Sequence, residues 1–251
     1  MEAVVTNGLP AQVSVFSDSE ELSRAAAERF ASLSQAAISS RGRFSAALSG
    51  GSTPRRFYSL LGKPPCRDAI DWRRVHVFWA DERCVSPSHE DSNYKLAADT
   101  FLLPADVPFE NIHRIRGEEG PAFAAAEYQK ELSKFFSGSQ KPVFDLVILG
   151  AGVDGHTASL FPGSSGLQER SREVVPVFLE KPGVSRVSLA LHVLNQAAHV
   201  LFLVSGKDKA DIAYEVLKSD HPKHYPAGLV QPVDGILSWF LDESAASRIR
   251  S

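Results

Sequence analysis

The feature that most constrains this chain is its rhythm. Short apolar or β-branched runs alternate with longer stretches that are apolar along one helical face. Residues 13–16 precede a helical pattern over 20–38, residues 44–48 precede 54–61, and residues 75–79 precede 92–101. A helical 120–136 leads to a strand at 144–149, strands at about 174–179 and 186–191, a strand at 199–204 and a helix at 208–218. Neighbouring strands separated by helices pair in parallel through crossovers, and a parallel sheet needs helices on both faces. The predicted fold is therefore α/β, a mostly parallel, Rossmann-like sheet with helices on both faces.

The first helix has a clear start, with Asp18 and Ser19 as capping candidates and Glu20 and Glu21 where the helix dipole favours acids. Proline and glycine clusters near 62–65, 104–108, 138–142 and 162–166 are too short to be interdomain linkers, and no internal repeat is visible. One domain over 1–251 is expected, with residues 1–10 as a flexible N-terminal extension.

Composition removes several function classes. Lys and Arg total 27 against 30 Asp and Glu, a formal charge of -3, so the chain lacks the basic excess used to attract nucleic acid or an anionic membrane. Only Cys66 and Cys84 are present, without zinc-site spacing, which suits two ordinary intracellular thiols and no metal. The N-terminus carries no basic residue before Arg24, unlike a signal or transit peptide, and the uncharged run 187–206 is interrupted by polar residues. A cytoplasmic protein with no nucleic-acid or membrane partner is expected.

In open parallel sheets ligands bind beyond the carboxyl ends of the strands, so the loops there hold the candidate chemistry. After 44–48 come Ser49, Gly50, Gly51, Ser52, Thr53 and Pro54, opening a helix. This pattern suits a phosphate cradle, although a tight turn also uses glycines and the ending of a Walker A loop is missing. After 75–79 come Asp81, Glu82 and Arg83, where Arg83 could pair with phosphate in a fork or sit in a salt-bridged surface loop. The strand at 144–149 ends in Gly150, Gly152 and Gly155, which match G-x-G-x-x-G. Pro162, Gly163 and Gly166 follow too soon for the crossover helix of a dinucleotide-binding unit. What remains is Asp154 two residues before His156, a carboxylate able to orient an imidazole that transfers protons near neutral pH. Last, Lys207 and Lys209 lie at a helix start, where cations need a compensating anion or exposure to solvent.

Read together, the 49–54 segment, Asp81-Glu82-Arg83, Asp91-Ser92-Asn93-Tyr94, the 150–162 segment and Lys207-Asp208-Lys209-Ala210 resemble the glucosamine-6-phosphate isomerase/6-phosphogluconolactonase family, and its lactonase branch in particular. The resemblance runs from about residue 13 to residue 245. It implies hydrolysis of 6-phospho-D-glucono-1,5-lactone to 6-phospho-D-gluconate in the oxidative pentose phosphate pathway, with no cofactor. It also implies His156 as catalytic acid/base, Arg83 and Lys209 as phosphate ligands beside Gly50, Gly51, Ser52 and Thr53, and Arg186 as a basic residue near the site. Asp154 is the expected partner of the imidazole, and Asp81 a candidate for the sugar hydroxyls. The related deaminases carry Asn-Glu-Pro where this chain reads Leu160-Phe161-Pro162, and a phenylalanine cannot transfer a proton. A deaminase-like isomerase and a non-catalytic sugar-phosphate sensor are the alternatives. The choice between Lys207 and Lys209, and between monomer and weak dimer, stays open at this point.

Overall fold

The computed structural model describes residues 11–138, 141–178 and 185–249. The extension expected over 1–10 and the last residue of the strand expected at 174–179 lie outside them. Six strands form one parallel sheet: β1 (Ala11–Phe16), β2 (Phe44–Leu48), β3 (Val75–Trp79), β5 (Leu146–Leu149), β8 (His199–Val204) and β9 (Ile236–Asp242). Their order across the sheet is β1-β9-β8-β5-β2-β3, with helices packed around it as the alternation predicts. All residues of β2 and β5 are buried, which explains why β5 reads as an unbroken apolar run and β2 as one interrupted only by Ser45.

Local chemistry sets the element ends. Asp18 takes an extended backbone and its Oδ1 accepts from the Glu20 and Glu21 amides at 2.8 and 2.9 Å, starting the Ser19–Arg41 helix. Gly42, at φ 79°, ends it by donating to the Ile38 carbonyl. Asp145 fastens the start of β5 to β2, its Oδ2 accepting from the Ser45 amide at 2.7 Å and the Ser45 hydroxyl at 3.0 Å. The helix expected at 92–101 is shorter: Asn93–Ala97 is α-helical and Ala98–Leu102 widens into a π turn.

The strands expected near 174 and 186 correct the all-in-one-sheet picture. β6 (Val174–Val177) and β7 (Arg186–Leu189) pair antiparallel, and β7 pairs antiparallel with β4 (Asp81–Arg83) in a separate three-stranded sheet. The stretch from Val177 to Arg186 is shorter than the dozen or so residues that a parallel crossover needs, so the chain returns antiparallel. Asp81–Arg83, expected as a charged loop, is thus a strand. Ala80 joins the two sheets: its amide donates to Leu48 at 2.7 Å and its carbonyl accepts from Leu189 at 2.7 Å.

Candidate active site

Four consecutive strands, β8, β5, β2 and β3, end in the four loops singled out from the sequence. β2 leads to β3 on one side, while β5 is followed in this sheet by β8 on the other, so the order reverses between β2 and β5. A crevice opens at such a reversal, and a cavity of about 210 Å³ occupies it. Gly50, Gly51, Ser52, Thr53, Asp81, Arg83, His156, Arg186 and Lys209 all line it. Of the expected site residues only Asp154 does not, because it sits behind the imidazole. Lys209, rather than Lys207, is on the wall.

At one end is His156. Its Nδ1 lies 2.5 Å from Asp154 Oδ1, which also accepts from the His156 amide at 3.1 Å. Burial works against ionisation of Asp154, but these bonds from His156 overcome it and hold the carboxyl below its ordinary value. A carboxylate accepts only, so the Nδ1 proton faces Asp154 and the Nε2 lone pair is left for chemistry. The loop is tight: the Gly152 amide donates to the His156 carbonyl at 2.8 Å, and the Gly155 amide to Gly152 at 2.9 Å. Gly152 admits no side chain, since a Cβ there would lie 2.2 Å from His156 Nδ1.

At the other end two arginines meet. β4 and β7 pair so that Arg83 stands directly opposite Arg186. Like charges in that position repel across the ladder. Arg83 donates to the Asp91 carbonyl at 2.5 Å, yet the Nε atoms of both arginines are buried without hydrogen-bond partners. Burial, reinforced by the Arg83 charge and opposed by nearby carboxylates, lowers the pKa of Arg186. Beside them the Ser52–Leu61 helix begins at Gly51, at φ 118°, presenting unbonded amides to the same cavity. Two guanidinium groups, Lys209 and a helix N-terminus thus line one cavity, an arrangement whose charge suits a compact anion.

Asp81 was expected at the site, but the hydrogen-bonded clamp it forms with Asn93 and Ser159 was missed by sequence reasoning. Asp81 is 4% exposed, its Oδ2 accepting from Ser159 Oγ at 2.7 Å and its Oδ1 from Asn93 Nδ2 at 3.3 Å. Asn93 also donates to the Asp81 carbonyl at 2.8 Å, and its Oδ1 lies so near Gly50 that a Cβ there would clash at 1.8 Å. Gly50 is therefore needed for close approach, while Asp81 serves the clamp as well as lining the cavity. Glu82, 2% exposed, accepts from the Arg83, Asn93 and Tyr94 amides and from Ser92 Oγ. Burial pushes its carboxyl up to about 7 against those hydrogen bonds. The signal for this clamp was in the sequence, because Asp81-Glu82 and Ser92-Asn93 both belong to the quoted motifs, but their pairing was not.

The glycine match at 150–155 does not form a dinucleotide-binding unit. Turns follow Gly155, and only a short 3-10 turn, Ser165–Gln168, precedes β6. Among the described residues no helix is long and apolar enough to cross a membrane, and no group of three or more His, Cys, Asp or Glu side chains could hold a metal ion.

Comparison with known proteins agrees with this geometry. A family model described as glucosamine-6-phosphate isomerases/6-phosphogluconolactonase matches residues 17–239. The chain is 40% identical to a human 6-phosphogluconolactonase over 244 residues, covering 94% of this chain and 93% of the relative. It is 39% identical over 200 residues to one from Aggregatibacter actinomycetemcomitans, covering 79% and 84%. Among solved structures, the 6-phosphogluconolactonase from Trypanosoma brucei superposes with a TM-score of 0.85 at 30% identity, covering 96% of this chain and 99% of that one. The chain belongs to the glucosamine-6-phosphate isomerase/6-phosphogluconolactonase family.

Proposed function

We propose that this member of the family hydrolyses 6-phospho-D-glucono-1,5-lactone to 6-phospho-D-gluconate, as the second step of the oxidative pentose phosphate pathway in the cytoplasm. The observation that carries the reading is one cavity lined both by an Asp154-oriented imidazole and by an opposed arginine pair. The named activity of the relatives supports it.

In this mechanism Arg83, Arg186, Lys209 and the amides opening the Ser52–Leu61 helix hold the 6-phosphate, and the lactone carbonyl comes to His156. Neutral Nε2 takes a proton from water as its oxygen attacks C1. The tetrahedral intermediate collapses with cleavage of the bond from C1 to the ring oxygen, and Nε2 returns the proton to that oxygen. The product is the open-chain acid, which ionises in water. Asp154 keeps Nδ1 protonated and stabilises the imidazolium formed between the two transfers. Asp81 and the cavity wall face the sugar hydroxyls. Proton transfer of this kind is worth about 10² to 10⁴ in rate.

The test is lactone hydrolysis followed against its spontaneous background, with glucosamine 6-phosphate offered in parallel. We expect turnover of the lactone only, and His156→Ala lowers kcat by about 10² to 10⁴ in a folded protein. Near-wild-type kcat in that variant, or turnover of glucosamine 6-phosphate instead, would overturn the reading. Phe161 beside the imidazole offers no second proton-transfer group, which separates this site from deaminase chemistry.

A further inference from the structure

One ring beside the cavity lies near both His156 and Arg186 and has no role in the mechanism above. The chain after His156 folds back through a turn in which Thr157 Oγ1 donates to the Gly150 carbonyl at 2.9 Å and the Leu160 amide to Thr157 at 2.9 Å. Ala158 takes a positive φ of 47° in that turn, a conformation that costs energy for a residue with a Cβ. The result is that Phe161 lies over the imidazole, with ring centroids 4.6 Å apart and planes inclined at 37°. Arg186, arriving from the second sheet, places its Cζ 5.7 Å from the centroid of the same ring.

Each contact supplies something the hydrogen bonds do not. A single bond from Nδ1 to Asp154 fixes the tautomer but leaves the imidazole free to swing about that bond. Gly152 limits it at one edge, and Phe161 removes the remaining freedom by covering its face. Arg186 has a buried Nε without a hydrogen-bond partner, and an aromatic face attracts a guanidinium held in this way. The ring therefore sets where the cation sits relative to the proton-transfer nitrogen, a separation that must match the span from C6 phosphate to C1.

We propose that Phe161 is a positioning residue for lactone hydrolysis, its ring fixing the imidazole of His156 and the guanidinium of Arg186 relative to one another. This rests on the functional reading above. It makes no contribution to proton transfer and acts only through its two neighbours.

The experiment compares wild type with Phe161→Leu, Phe161→Tyr, Arg186→Met and the Phe161→Leu/Arg186→Met pair, using steady-state lactone hydrolysis and thermal unfolding. Phe161→Leu lowers kcat about ten-fold, because a small misplacement of a reacting group is costly, and raises KM about three-fold through loss of the cation's seat. Phe161→Tyr keeps the ring and recovers most of both. The KM increase caused by Arg186→Met is smaller in the Phe161→Leu background than in wild type, since the two side chains act as a unit. Where the leucine variant does not melt cooperatively, Phe161→Met carries the same expectations. Active wild type with kcat and KM within two-fold in the leucine variant overturns the inference, as does full multiplication of the two KM effects. Wild type no faster than the spontaneous reaction overturns the functional reading, and this inference with it.

Discussion

At one end of the cavity His156 has its Nδ1 bonded to Asp154 at 2.5 Å and its carbonyl bonded to Gly152, whereas at the other Arg83 and Arg186 face each other with both Nε atoms buried and unbonded. The first arrangement is complete before any ligand arrives. The second holds like charges together in a partly dry place, at a cost that an anion lowers when it binds. A group that must transfer a proton in a fixed direction needs its orientation in advance, while a group that must capture a charged ligand gains affinity by lacking an internal partner.

This contrast predicts different kinetic signatures. The largest effect belongs to the completed end: Asp154→Asn lowers kcat by about 10² to 10³ with KM little changed, because the amide no longer stabilises the imidazolium formed in the reaction. A KM effect without a kcat effect would break the assignment. At the other end Arg186→Met raises KM about ten-fold, and removing the repulsion stabilises the ligand-free protein by about 0.5 kcal/mol. Thermal unfolding with and without inorganic phosphate checks both parts: wild type gains stability from phosphate, and the variant, though more stable alone, gains less. A variant that is less stable alone would show that the two charges are not in conflict.

A third effect, confined to stability and leaving kinetics alone, concerns Glu82, which joins the arginine strand to the Asn93–Ala97 helix. Its folded value of about 7 lies above the roughly 4.3 of an unfolded glutamate. Between those values the folded chain holds more protons, so the contribution to stability is full below about 4.3 and is lost as pH rises through 7. Glu82→Gln removes the dependence. Relative to wild type, the glutamine variant gains roughly 2 to 3 kcal/mol between pH 5 and pH 8 in denaturant unfolding. A flat difference would mean that Glu82 stays ionised throughout. Taking the difference isolates this group from His76, whose value burial lowers to about 4 and whose effect runs oppositely, destabilising the protein as pH falls below about 6.5.

Much of the frame was legible in the sequence because it rests on buried apolar runs. β2, β3 and β8 begin and end where their residues predict. The His156 end was legible too, since Asp154 and His156 are two residues apart and meet through local geometry. The arginine end was not. Asp81-Glu82-Arg83 reads as a polar loop because side-chain chemistry does not announce backbone pairing, and its partner lies about a hundred residues further on. The clamp of Glu82 on Asn93 escaped for the same reason. β9 carries the apolar signal of any central strand, but no helical pattern follows it, so alternation gave it no place.

That strand has a consequence for how the protein is made. β9 lies between β1 and β8 and pairs with both. On the ribosome β1 emerges before the other strands described, yet its one partner strand among the described residues emerges more than two hundred residues later. Until then β8 has an open, apolar edge and β1 nothing to pair with, the exposure that invites mispairing between nascent chains. Closure of the sheet is thus a late event in biosynthesis, and a chain stopped before residue 236 contains every proposed catalytic residue without the strand that joins the first element to the rest.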